Sequence, residues 1–263
     1  MLTIKNYVKA ESLQEAYELN QSRSSRIKGG MMWMRLSNAR IQTMIDLSGL
    51  GLDQIEETEK TFKIGCMCTL RDLEMHEGLN EYSQGAVKEC VRHIVGVQFR
   101  NQATVGGSIY GRFGFSDVLT CLLALDTFVE LYEGGTIRLS EFLSQKPGHD
   151  ILVSIIIRKK KRQVRYHAFR QCATDLPVLT CAVVRGDGNW YIAVGARPMR
   201  AEHIEKSWEI EDGTCTEQIA KCARKAAGEF EYGSNMRGSA EYRKHLAEVM
   251  IGRAMTSILT EEE

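Results

Sequence analysis

What this chain lacks narrows its chemistry before any motif is considered. No apolar run approaches the ~20 residues a helix needs to cross a bilayer, and MLTIKNYVKAES at the N-terminus brings in acidic and polar residues early, so no membrane role and a cytoplasmic location are expected. Net charge is missing too: 34 Lys and Arg balance 34 Asp and Glu, which leaves no global pull toward nucleic acid or anionic lipid. The cysteines, Cys66, Cys68, Cys90, Cys121, Cys172, Cys181, Cys215 and Cys222, form no C-x-x-C pair and no dense framework. Cys66 and Cys68 could share one strand face as ligands, but a metal or cluster site needs two more thiols at good spacing. They read as reduced buried thiols, and no metal is expected. Also absent are a convincing nucleophile, paired acids, and either Gly-Lys-Ser/Thr or G-x-G-x-x-G at the glycine-rich points. Any enzymatic chemistry therefore has to come from a cofactor.

The 263 residues, 43% hydrophobic and 26% charged, suit an ordinary globular protein of two or three lobes. Two glycine pairs stand out. In Gln98-Phe-Arg-Asn-Gln-Ala-Thr-Val-Gly-Gly-Ser-Ile109, the β-branched Thr104 and Val105 precede Gly106 and Gly107. This predicts an extended segment running into a turn whose amides point outward, flanked by the hydroxyls of Thr104 and Ser108. Such a concavity suits a phosphate or pyrophosphate, and a substitution such as Gly106→Val is then expected to block the ligand without unfolding the protein. The plainer alternative is a tight hairpin or bulge. In Arg26-Ile-Lys-Gly-Gly-Met-Met-Trp-Met34, the pair Gly29 and Gly30 has a similar lead-in. Two such turns could hold two ends of one long ligand.

The run RNQATVGGSIYGRFGFSDVLTCLLALDTFVEL, Arg100 to Leu131, resembles the second flavin segment of the FAD-binding medium subunits of molybdenum hydroxylases, the xanthine dehydrogenase and carbon monoxide dehydrogenase flavoprotein family. IKGGMMWM is similar to the family's first flavin loop, and GSAEYRKHLAEVMIGRAM to its closing helix. The resemblance implies an α+β (mixed α/β) fold: a two-lobed FAD-binding domain of the PCMH/vanillyl-alcohol-oxidase type, at 1–55 and 56–160, followed by a CO dehydrogenase flavoprotein C-terminal-like α+β domain at 161–263. It implies an oxidoreductase subunit that takes electrons from a ferredoxin-like iron–sulfur subunit, beside a large molybdopterin subunit, and passes them through FAD to NAD or another acceptor. A structural or regulatory relative that has lost tight FAD binding is the alternative.

The family usually continues its first glycine pair with Thr-Asp; here Met31 and Met32 stand in those places. Backbone amides of Lys28, Gly29, Gly30 and Met31 remain available, and the methionines either pack softly on a flat ring or fill core. By the same correspondence, Thr104, Gly106, Gly107 and Ser108 face the pyrophosphate, Asp117 accepts from ribityl or ribose hydroxyls, Ile155 lies against the cofactor, and Arg170 sits near the flavin's edge. The plainer roles are a helix cap for Asp117, alone or with Ser116, core packing for Ile155 and surface exposure for Arg170.

Local signals fill in the rest. Ser12 predicts a helix N-cap with Glu15 as capping-box partner, and Thr69 caps a helix from Arg71. Helical spacing runs over 84–96 and in the last third, with strands at 26–28, 43–47, 129–132, 150–157 and 164–168. The basic run Arg158-Lys-Lys-Lys-Arg162 reads as a solvated connection.

Overall fold

The structure, a computed structural model, describes residues 1–210 and 215–260. The chain forms two compact units: unit 1 comprises Met1–Leu73, Val97–Gly111 and Thr127–Arg158, and unit 2 comprises Glu74–Gly96, Arg112–Asp126 and Lys159–Glu263.

Unit 1 carries two sheets. Strands β1 (Thr3–Lys9), β2 (Ser25–Lys28) and β3 (Arg40–Asp46) form a parallel sheet in the order β1-β3-β2. Central β3 buries Met44 and Ile45 completely, whereas the TIKNYVK of β1 is almost wholly exposed. The crossover from β1 to β2 is the helix Leu13–Asn20, started by Ser12, whose hydroxyl accepts from the Glu15 amide; the Glu15 carboxylate accepts in turn from the Glu11 amide at 2.8 Å. The second sheet, antiparallel, joins β4 (Ile55–Glu57), β5 (Thr61–Gly65), β6 (Thr127–Leu131), β7 (Gly135–Arg138) and β8 (Leu152–Arg158) in the order β4-β5-β8-β6-β7. Phe62 and Ile64 of β5, Val129 of β6, and Ile155 and Ile157 of β8 alternate inward with no exposed surface. Burial of side chains this size stabilises by about 1.5–3 kcal/mol each, and these residues hold the sheet.

Unit 2 is built on an antiparallel sheet of β9 (Arg162–Phe169), β10 (Leu179–Gly186), β11 (Asn189–Gly195) and β12 (Glu202–Lys206), ordered β12-β11-β10-β9. Leu179, Cys181 and Val183 of β10 and Trp190, Ile192 and Val194 of β11 share a core with Ile219 and Ala223 of the helix Thr216–Ala227 and Ile251, Met255 and Ile258 of the helix Ala240–Thr260. The opposite face takes the helix Asp117–Ala124, whose eight residues are all buried and whose Thr120 hydroxyl meets that of Thr180 at 2.9 Å. Covered on both sides, β10 is apolar along most of its length, as period-2 geometry requires. Arg243, 1% exposed, donates to the carbonyls of Val178, Gly233 and Gly238 and to Asn235 Oδ1, tying the start of the last helix to the loop before it.

Two expectations are corrected here. The stretch at Gly106 is no extended run into a turn: Val105–Tyr110 is a short helix capped by Thr104. The basic run is not simply solvated either. Lys160 pairs with Asp126 and Asp187 at 3.3 and 3.4 Å, Arg162 is 9% exposed with its guanidinium 4.6 Å from the Tyr191 ring centre, and Arg158 lies over the Phe128 ring at 4.1 Å. No helix among the described residues is long and apolar enough to cross a membrane.

Candidate functional site

In unit 1 the two glycine pairs come together on one residue, Thr104. A Cβ added at Gly29 would lie 2.9 Å from Thr104 Oγ1, and one added at Gly107 would lie equally close. The other glycine of each pair is pressed on backbone: a Cβ at Gly30 would stand 2.0 Å from the Gln102 carbonyl oxygen, and one at Gly106 would stand 2.6 Å from that of Cys66. Glycine is required at these two places because main chain passes where a side chain would go.

The amides differ between the pairs. Val105 donates to the Cys68 carbonyl at 2.8 Å, Gly106 to that of Cys66 at 2.9 Å, Gly107 to Thr104 Oγ1 at 3.2 Å, and Ser108 to the Thr104 carbonyl at 3.1 Å. The outward-facing amides expected at Gly106 and Gly107 are therefore committed within the chain, since the capped helix consumes them. At the first pair, no acceptor among the described residues meets the amides of Gly29, Gly30 or Met31. Those residues are half-buried, and Met31 is held at φ 56, a left-handed conformation that a side chain rarely adopts. A half-buried row of unspent N–H groups around a left-handed residue is an anion-binding concavity. Met32 is 8% exposed, which is the core-filling role; Met31 is half-buried at the turn itself.

Lys28 leads into this loop and is anchored on the parallel sheet. Its ammonium lies 2.8 Å from Asp46 Oδ2 and 2.9 Å from the Tyr7 hydroxyl; Tyr7 also donates to Asp46 Oδ2, and the Ser48 amide to Oδ1 at 2.9 Å. Burial alone would raise the Asp46 carboxyl, but Lys28, Tyr7 and Ser48 outweigh it and hold it well below the usual carboxylate range. Hydrogen bonding to Asp46 pushes Lys28 up in turn. Ile155 stands mid-β8 between Ile64 and Val129 with its side chain fully buried; that is the packing role, not an open face for a cofactor.

Unit 2 brings together Asp117 and Arg170. Ser116, not Asp117, caps the helix, its hydroxyl accepting from the Leu119 amide at 3.2 Å. The Asp117 carboxylate, 5% exposed, instead accepts on Oδ1 from Arg170 Nη2 and from the Tyr166 hydroxyl, both at 2.5 Å. Arg170, its side chain 9% exposed, also donates through Nε to the Asp175 carbonyl at 3.1 Å, so it is no surface residue. Burial pushes the Asp117 carboxyl above its ordinary range against the pull of Arg170 and Tyr166, and burial pushes the Tyr166 phenol well up. Tyr166 is the member that sequence reasoning missed: an aromatic on a strand signals packing, and nothing local marks its hydroxyl.

Residues 2–159 match the model of the FAD binding domain in molybdopterin dehydrogenase, and residues 165–258 match the CO dehydrogenase flavoprotein C-terminal domain. The chain belongs to the molybdopterin dehydrogenase FAD-binding family. It is 25% identical to the uncharacterised protein YgfM of Escherichia coli over 260 residues, covering 94% of both chains, and 24% identical to the nicotine 6-hydroxylase medium subunit of Paenarthrobacter nicotinovorans over 272 residues, covering 95% of both. Its fold superposes on quinoline 2-oxidoreductase from Pseudomonas putida 86 with a TM-score of 0.83 at 17% identity, covering 98% of this chain and 97% of that one. This flavoprotein-family chain is thus an oxidoreductase component with an FAD-binding domain and a CO dehydrogenase flavoprotein-type C-terminal domain. Taken separately, the groups of each unit suit parts of FAD: in unit 1 the open amides at Gly29 to Met31 suit a diphosphate, and in unit 2 the carboxylate of Asp117 suits sugar-alcohol hydroxyls.

Proposed function

We propose that this chain is the FAD-bearing electron-transfer subunit of a cytoplasmic, xanthine dehydrogenase-like molybdenum hydroxylase. It takes electrons from a ferredoxin-like iron–sulfur subunit served by a large molybdopterin subunit, and it delivers them to NAD or another acceptor. The family membership and the medium-subunit relative support the assembly. The observation that carries the cofactor role is the open first loop. In it, the amides of Gly29, Gly30 and Met31 remain unspent although Met31 and Met32 replace the customary Thr-Asp. Bound FAD supplies a ring that exchanges both hydride and single electrons.

The chain's own residues bind and orient. Gly29 to Met31 offer amides to the diphosphate with Lys28 leading into them, Thr104 fixes the spacing of the two glycine pairs, and the exposed Gly107 and half-buried Ser108 flank the same ground. Asp117 accepts from a ribityl or ribose hydroxyl. The test is the colour and redox response of the purified protein: one FAD per chain is expected, bleached anaerobically by NADH if NAD is the acceptor. A colourless protein that takes up no FAD on incubation would establish the structural or regulatory alternative.

A further inference from the structure

We infer that Tyr166 is a positioning residue for the cofactor, acting with Arg170 to hold the Asp117 carboxylate so that its Oδ2 oxygen is left for a hydroxyl of the ligand. The inference rests on the reading that Asp117 meets FAD, and it reassigns Arg170 from the flavin's edge to the support of Asp117. Both donors converge on one oxygen, Oδ1, each at 2.5 Å, and no other residue among those described donates to Oδ2. A carboxylate can accept several hydrogen bonds on its two oxygens, so beyond Arg170, Tyr166 and its own backbone amide this one retains acceptor capacity.

The two supports differ in kind. Tyr166 projects from β9 at the position paired with Ala182 of β10, and it is 4% exposed. Rotating the carboxylate away from it would strand a buried phenolic hydrogen, so the strand fixes the carboxylate's orientation. Arg170 lies just beyond the same strand and supplies the charge. The titratable groups around Asp117 are Tyr166 and Arg170, Cys90 of the helix Ala86–Arg92, and Cys121 of the helix that Asp117 begins. Burial pushes the Cys90 thiol and the Tyr166 phenol upward, so both stay protonated at neutral pH. Arg170 is then the one cation facing Asp117 among these groups.

FAD binding should weaken as pH falls, because a protonated Asp117 offers a poorer acceptor. Removing a donor to the carboxylate makes its charge costlier and moves that acid limb to higher pH. The experiment is an FAD titration of deflavinated full-length protein across acid and neutral pH, with thermal melts of the FAD-free protein alongside. Tyr166→Phe keeps the ring, so it is expected to fold, to bind FAD about tenfold more weakly, and to shift the acid limb up by about one pH unit, the equivalent tenfold change. Arg170→Gln, which keeps a donor but no charge, is the second variant and should shift the limb at least as far. Unshifted acid limbs with wild-type affinity in the variants would overturn the inference. Asp117→Ala separates the two levels: if it binds FAD normally, the placement of Asp117 at the ligand fails, and if it binds weakly while Tyr166→Phe is unchanged, only the role of Tyr166 fails.

Discussion

Gly29-Gly30 and Gly106-Gly107 read as near copies in sequence and meet on the same threonine, but the chain uses them differently. At the second pair every amide from Val105 to Ser108 is consumed, two of them by the carbonyls of Cys66 and Cys68. At the first pair the amides stay open, and a left-handed Met31 keeps the loop from winding into a helix that would spend them. A glycine pair thus marks close backbone approach, and what approaches can be another stretch of the same chain or a ligand. The difference lies in what precedes the glycines: a capping hydroxyl at Thr104 starts a helix, whereas Lys28 is drawn aside to Asp46.

The sharpest way to break this comparison is to fill the glycines that press on backbone. Gly30→Ala, meeting the Gln102 carbonyl oxygen at 2.0 Å, should cost on the order of 3 kcal/mol or more, and Gly106→Ala, meeting that of Cys66 at 2.6 Å, somewhat less. Denaturant melts of the FAD-free protein measure both. The sequence-based expectation that a side chain at Gly106 merely evicts the ligand from an intact protein is replaced by this one. Full stability in either variant would mean that the backbone gives way easily.

A smaller effect should come from the anchor that distinguishes the first pair. Losing a charge-assisted bond at a nearly buried carboxylate costs about 1.5–3 kcal/mol, so Asp46→Asn should destabilise by that order at neutral pH. Because the folded-state pKa of Asp46 is depressed, its contribution is complete above the ordinary carboxylate value of about 4 and is lost as pH falls through the depressed one. That of Lys28, whose pKa is raised, is lost only in strong alkali. Stability curves for the parent and Asp46→Asn should therefore converge toward acid; parallel curves would remove the ion pair from the account.

The smallest effect is at the shared threonine. Thr104→Ala deletes the helix cap, which costs about 1 kcal/mol, and removes the hydroxyl that lies where a side chain at Gly29 or Gly107 would go. The expected signature is a modest loss of melting temperature with a larger relative loss of FAD affinity, because the hydroxyl sets the spacing of both pairs. Equal losses would make it a cap alone.

Legibility followed the range of the interaction. The caps at Ser12 and Thr69 and the core strand around Ile155 were readable because each is settled within a few residues. The strand β1 was not: TIKNYVK has little apolar face and is extended because β3, nearly forty residues on, pairs with it. The division of amides between the glycine pairs depends on carbonyls some forty residues upstream, and the Tyr166 contact to Asp117 spans 49 positions. Family correspondence placed Asp117 and Arg170 among the functional residues, and only the folded arrangement showed that they hold each other.

The distribution of thiols turns the molecule into a recorder of its own fluctuations. Cys66 and Cys68 are shut inside unit 1, and Cys90, Cys121 and Cys181 inside unit 2, while Cys172 and Cys215 face solvent. An alkylating reagent should mark the two outer cysteines at once and reach the five enclosed ones only when the surrounding structure opens, at a rate set by the free energy of that opening. Each unit thereby carries its own timer. A mass spectrum taken at intervals would show whether the thiols of the two units become accessible as one group or as two, and so whether FAD, when added, slows the opening of the whole chain or of a part.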